Sequence, residues 1–187
     1  MNKIIRHAQS TVNAGQRISD PREAVLSDLG RQQALKLTDD YTSAPDLVIV
    51  SDAPRTKLTV APLLKKFPGV PVRTMPIYEF YFIADYRIKG TTPQERRALL
   101  DEYFRKNDPN YIDGKNCESF NAFIQRVIEV LDSLEHLENT LMVSHGHFIN
   151  GVRQVVEGRP LTLDQFASMK YVDHCEGVVI KKLRGGR

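Results

Sequence analysis

Apolar runs and polar breaks alternate along the chain in a way that predicts strand and helix in turn. Ile4 and Ile5 open a short apolar run that stops at Arg6 and His7, the pattern of a buried strand delivering two polar side chains at its C-terminal end. After a loop with Gly15, Asp20 and Pro21, Ser27 stands as the N-cap of a helix in which Ala34, Leu37 and Tyr41 recur on one face, closed by Pro45. Asp46 to Val50 is a second buried strand. It runs into Ser51, Asp52 and Pro54 and then a helix through Leu58, Val60, Leu63 and Leu64, where Pro62 removes a hydrogen bond and predicts a kink. Val70 to Met75 is a third, weaker strand. From Phe120 onward Phe123, Ile124, Val127, Leu131 and Leu134 repeat at helical spacing, the strongest amphipathic helix of the chain, and its apolar face reads as core. Thr140 to Val143 is a fourth strand, broken by Ser144, His145 and Gly146 before a helix carrying Ile149, Val152 and Val156 that ends at Gly158. Val178 to Leu183 reads as a last edge strand, and Gly185, Gly186 and Arg187 as a frayed end.

Such alternation predicts an α/β fold, doubly wound, with a mostly parallel sheet, helices on both faces and ligands bound beyond the C-terminal ends of the strands. The 187 residues fit one domain, and 41% hydrophobic content is enough for a sizeable core. One stretch, at about 78–117, breaks the pattern. Tyr78, Phe80, Tyr81, Phe82, Tyr86, Tyr103, Phe104 and Tyr111 crowd there with Lys89, Arg96, Arg97, Arg105 and Lys106, as in an inserted lid that shapes specificity or a satellite mini-core.

Charge changes this picture little. The 26 basic and 23 acidic residues, net +3, are spread along the chain without the basic run of a nucleic-acid arm. Cys117 and Cys175 fit no CxxC spacing and read as reduced thiols. No segment approaches the roughly 18 apolar residues of a membrane span, and Arg6 interrupts any signal-like run. The expectation is a cytoplasmic protein with no nucleic-acid or membrane partner; nothing in the pattern bears on oligomeric state.

Chemistry gathers where strands end: Arg6 and His7 after the first, Ser51 to Arg55 after the second, His145 to His147 after the fourth. Parallel strands bring all three clusters to one edge. Two arginines and two histidines converging there suit an anion with several oxygens, above all a phosphoryl group, because each guanidinium offers a planar fork of donors.

These residues also stand in a familiar order. Arg6-His7-Ala8-Gln9-Ser10, with Asn13 six residues after the histidine, resembles the RHG-type signature of the histidine phosphatase (phosphoglycerate mutase-like) superfamily. Leu26, Ser27, Gly30, Gln33 and Ala34 resemble its L-T-x-x-G-x-x-Q-A helix start. Ser51 and Arg55, with Thr56 and Thr59, resemble its second-arginine element; Cys117-Glu118-Ser119 its G-E-S element; and Val143-Ser144-His145-Gly146 its second-histidine motif. The resemblance covers roughly residues 3 to 157, and the combination is specific where each motif alone is weak.

The resemblance implies a metal-independent, cofactor-free phosphoric monoester hydrolase whose partner is a small phosphorylated substrate. Neutral His7 would attack phosphorus to form a phosphohistidine, while Arg6, Arg55 and protonated His145 neutralise the equatorial oxygens. Glu79 is the candidate to protonate the leaving oxygen, its carboxyl held up by Tyr78 and Phe80; Asp85 and Glu118 are the alternatives. Ser10, Asn13 and Gly146 are candidate phosphate or substrate contacts, with loop-turn and capping roles equally open for Ser10 and Asn13. Arg17 and Arg22 read as solvated charges, His136 as a surface residue and His174 as structural.

Two residues depart from the family pattern. Ala8 stands where the family has glycine, which would strain or reshape the loop if that position needed positive φ. His147 makes an H-x-H with His145, the spacing of a metal ligand pair, and so opens a competing reading as a metal-dependent hydrolase with His7, His145 and His147 as ligands. Ala8 likewise opens the reading of a degenerate, non-catalytic binding module. Between hydrolysis and mutase-type transfer, the short stretch after Gly158 favours hydrolysis, because family mutases carry a C-terminal segment that covers the site.

Overall fold

A computed structural model describes residues 2–17 and 19–180. Five strands form one sheet: β1 (Asn2–Arg6), β2 (Leu47–Val50), β3 (Val72–Thr74), β4 (Thr140–Ser144) and β5 (Gly177–Ile180), in the order β3-β2-β4-β1-β5. Pairing is parallel except at β5, which runs antiparallel to β1 on the sheet's edge. The sheet is thus mostly parallel, as the alternation predicts. Leu183, Gly185, Gly186 and Arg187 lie outside the described residues.

Side chains of the buried strands point alternately to the two faces, and a helical layer covers each. Ile5, Val48, Val50, Leu141 and Val143 face α1 (Asp28–Asp39) and α2 (Pro54–Lys66) through Leu37, Val60 and Leu63. Ile4, Ile49 and Met142 face α5 (Phe120–Ser133) and α6 (Gly146–Val156) through Phe123, Val127, Phe148, Ile149 and Val152. Ser27 caps α1 by accepting from the Gly30 N–H at 3.0 Å, but the helix ends at Asp39, so Tyr41 packs beside Leu37 from the following loop. Helix α2 continues to Lys66 through Pro62. Among the described residues no helix is long and apolar enough to cross a membrane.

Between β3 and α5 lie two further helices, α3 (Asp85–Ile88) and α4 (Pro93–Lys106), and α7 (Leu163–Ala167) packs beside α4. The aromatic residues of this stretch do not form a mini-core of their own. Phe80, Phe82 and Tyr103 belong to the same buried cluster as Phe120, Phe123 and Phe166, so the segment is an extension of the main core over the ligand edge of the sheet.

Candidate active site

The sheet's register builds the site. Arg6 pairs with Ser144 across β1 and β4, so the next residues, His7 and His145, leave neighbouring strand ends side by side. Their rings meet edge to face with centroids 5.1 Å apart. Strand β2 ends beside β4, and Arg55, on the first turn of α2, reaches both histidines: Nε donates to His7 Nε2 at 3.2 Å and Nη2 to His145 Nδ1 at 3.0 Å.

These contacts fix the tautomers. A carbonyl can only accept, so His7 Nδ1, 2.7 Å from the Ala8 carbonyl oxygen, carries the proton and Nε2 presents its lone pair to Arg55. A guanidinium can only donate, so His145 Nδ1 is unprotonated and Nε2–H donates to Ser51 Oγ at 2.8 Å. Burial, then His145 and Arg55, hold His7 well below the usual histidine range; burial and then Arg55 do the same for His145. The expected protonated His145 is therefore corrected: a buried ring against a guanidinium is neutral here, and the cationic group between the two histidines is Arg55.

The loop after β1 is held from both sides. His7 N–H donates to the Ser144 carbonyl, Cys175 N–H to the Arg6 carbonyl, and His174 Nδ1 lies 2.8 Å from the His7 carbonyl oxygen. On the other side the start of α1 approaches closely. Gln33 Oε1 accepts from the Gln9 N–H at 2.8 Å, and a Cβ on Gly30 would stand 1.9 Å from the Gln9 carbonyl oxygen, which is why glycine is needed there. Ala8 is not among the positive-φ residues; its N–H donates to Thr59 Oγ1, and its methyl packs with Leu26 and Ala34. The loop is accordingly not strained by the missing glycine.

Arg6, His7, Ser10, Asn13, Arg55, Glu79 and His147 line one cavity of about 210 Å³, whose remaining wall is largely apolar: Val12, Phe82, Ile83, Ile88 and Leu100. A larger cavity of about 520 Å³ adjoins it across Tyr81, lined by Asp20, Glu23, Asp52 and Glu118 among others, and holds neither histidine. Convergence of a buried imidazole with two guanidiniums, rather than size, identifies the first as the candidate site. Arg6 donates from Nη1 to the Val172 carbonyl, while its buried Nε has no hydrogen-bond partner among the described residues. Ser10 and Asn13 bond mainly each other, with Ser10 Oγ donating to Asn13 Oδ1 at 2.7 Å, so their turn role is realised at the cavity's rim.

Other expectations are corrected. His145 is fully buried, and its ring meets the cavity-lining His7 and Arg55 rather than lining the cavity itself. Gly146 does not line the cavity either; a Cβ there would meet the Tyr171 ring at 2.9 Å, so the glycine makes room for that ring. Glu79 does line it, but its carboxyl is not held up. Burial pushes it up, yet the His147 ring and the backbone N–H groups of His147 and Phe80 outweigh burial and leave it well below the usual carboxylate range. Phe80, expected to desolvate Glu79, turns instead into the core, and Tyr78 lies against Arg126. Glu118 forms a bidentate pair with Arg126, and Asp85 accepts from Arg22 and Asn116; neither lines the cavity. Arg17 is not merely solvated, since it pairs with Glu95 of α4. The H-x-H pair is split, His145 facing Arg55 and Ser51, His147 facing Glu79 and Tyr171. Among the described residues no group of three or more His, Cys, Asp or Glu side chains is placed to hold a metal ion. Tyr171, missed in the sequence, contacts Arg6 and His147 from a polar loop that carries no pattern signal.

A neutral buried imidazole flanked by guanidiniums, at the C-terminal edge of a parallel sheet, defines a site built for phosphoryl chemistry. Residues 3–183 match the histidine phosphatase superfamily (branch 1), and the chain belongs to that family. It is 30% identical over 151 residues to adenosylcobalamin/α-ribazole phosphatase of Escherichia coli, covering 76% of this chain and 71% of that one. It is 38% identical over 105 residues to glucosyl-3-phosphoglycerate phosphatase of Mycolicibacterium vanbaalenii, covering 53% and 47% respectively. The fold is similar to the crystal structure of α-ribazole phosphatase from Shigella flexneri, with TM-score 0.69 and 26% identity over 93% of this chain and 86% of that one.

Proposed function

We propose that the protein is a phosphatase that hydrolyses a small phosphomonoester through a phosphohistidine on His7, without a metal. The observation that carries this reading is the His7 ring, neutral and committed at Nδ1 to a carbonyl, so that its one lone pair is on Nε2, which accepts from Arg55 Nε at the wall of a cavity shared with Arg6.

In the first step the Nε2 lone pair forms the bond to phosphorus as the bond to the leaving oxygen breaks. Arg6 and Arg55 take the charge of the equatorial oxygens, the interaction expected to dominate phosphoryl transfer. Glu79 gives its proton to the leaving oxygen. Its carboxylate, ionised beside His147, gains that proton as the substrate dianion enters, because a second negative charge in the same small cavity raises a carboxyl's pKa. In the second step water attacks phosphorus, the P–N bond breaks back to neutral His7, and Glu79 takes the water's proton. Two similar proteins are themselves named phosphatases, which favours hydrolysis over transfer between positions. The apolar wall formed by Phe82, Ile83, Ile88 and Leu100 favours an ester with a compact apolar leaving group.

The test is phosphate release from a panel of phosphomonoesters, with and without chelator and vanadate. Release unaffected by chelator and blocked by vanadate supports the reading. Isomerisation of phosphoglycerate outrunning phosphate release, or activity regained only with added metal, overturns it.

A further inference from the structure

His147 is used by neither the nucleophile nor the phosphate contacts, yet its side chain is held on several sides. Its ring lies nearly parallel to Phe166, at 5.6 Å and 21°, and edge-on to Phe82 and Tyr171. The Tyr171 hydroxyl is 2.5 Å from Nε2, and Tyr171 is itself wedged against Gly146, where no Cβ fits. On its other side His147 meets Glu79 twice. The backbone N–H donates to Oε1 at 3.0 Å, and ring Nδ1 lies 3.3 Å from the same oxygen. The Phe80 N–H also donates to Oε1 at 3.0 Å, so this oxygen accepts two backbone N–H groups and faces the ring nitrogen, whereas no hydrogen bond to Oε2 is found among the described residues.

From this geometry we infer that His147 is a positioning residue for the reaction: backed by Tyr171, it saturates Glu79 Oε1 with donors, so that the proton Glu79 exchanges with substrate is carried on Oε2. The inference rests on the reading of Glu79 as the acid. The chemistry is one of exclusion. An oxygen that accepts two backbone N–H groups and also faces a ring nitrogen has less basicity left than its neighbour, so a carboxyl held this way protonates on the other oxygen. The Glu79 carboxylate can only accept, so the Nδ1 that faces Oε1 carries a proton, and the Tyr171 hydroxyl holds the ring in that orientation from Nε2. Without the ring contact only the two backbone N–H groups hold the carboxyl, and the preference for protonation on Oε2 weakens.

The consequence is read from leaving groups. An alkyl phosphate such as glycerol 2-phosphate needs a proton on its leaving oxygen; 4-nitrophenyl phosphate, whose phenolate is stable, needs it far less. The ratio of kcat/KM for the two esters, which stops at cleavage of the ester bond and leaves out the water step they share, therefore reports proton delivery, while a general loss of folded enzyme moves both values together. In His147→Leu this ratio should fall at least about tenfold, within the span that acid catalysis contributes. In His147→Asn, whose amide can replace the Nδ1–H donor, most of the ratio should return, and Tyr171→Phe should lie between the two. Glu79→Gln measured alongside separates the possible failures. If Glu79→Gln lowers the ratio and His147→Leu does not, or if His147→Asn falls as far as His147→Leu, the positioning role is overturned and the acid assignment stands. If Glu79→Gln leaves the ratio unchanged, the acid assignment falls and this inference falls with it.

Discussion

Arg55 donates from Nε to Nε2 of His7 and from Nη2 to Nδ1 of His145, so one guanidinium sets the orientation of both buried rings. Its Nη1 also reaches the Arg22 carbonyl, tying the first loop to the site. A lysine ammonium is a point donor and cannot reproduce this fork. Arg55→Lys should lower kcat by about a hundredfold, the cost of removing one well-placed donor of a transition-state oxyanion. Steady-state kinetics on any turned-over ester checks this, and a change of less than about threefold would remove Arg55 from the central position given to it here.

The pH dependence follows from two rings held neutral. Burial, with the neighbouring charges, lowers His7 and His145 below their ordinary value of 6.5, so the neutral nucleophile persists as the pH falls through that value. The acid limb of kcat/KM should therefore lie below 6.5. Stability runs the other way. Below 6.5 the unfolded chain binds protons at these histidines that the folded protein refuses, so stability is complete above 6.5 and declines as the pH drops. Thermal melting between about pH 7 and pH 5 checks the sign. His145→Gln, which removes one titrating ring, should flatten the decline, and an equally steep decline in that variant would contradict the account.

Ala8 supplies a test of the first loop. Its methyl is buried against Leu26 and Ala34 and its φ is not positive, so glycine brings no relief of strain. Ala8→Gly should cost about 1–2 kcal/mol through the lost methyl burial and the added backbone entropy of the unfolded chain. The melting temperature should fall, and kcat should not rise above that of the native protein. A gain in kcat would mean that alanine does constrain the approach of phosphate.

Much of this was legible in the sequence, for physical reasons that differ between elements. β1, β2 and β4 are continuous apolar runs because both faces of the sheet are covered, and their polar ends mark the site directly. Ser27 announced α1, and the Phe120 to Leu131 repeat announced α5. Helix α4 has its start signal too, Thr92 and Glu95 forming a capping box with Pro93 at the first helical position, but the aromatic crowding of the stretch hides the helical spacing that follows. What sequence spacing could not carry is contact between distant loops. Tyr171 meets His147 only because Gly146 has no side chain, and His147 meets Glu79 only because the segment after β3 crosses the start of α6. The aromatic neighbours of Glu79 suggested a raised carboxyl; the donors that lower it are backbone N–H groups and a ring whose position only the fold determines.

The most direct measurement of the central claim is a rapid quench of the enzyme with a labelled phosphomonoester, followed by localisation of the label. The account predicts an adduct that is labile in acid, stable in base and confined to His7, formed at a rate no slower than turnover and absent from His7→Ala, which should show no turnover. A label found on another residue, or turnover that persists in His7→Ala, would contradict it.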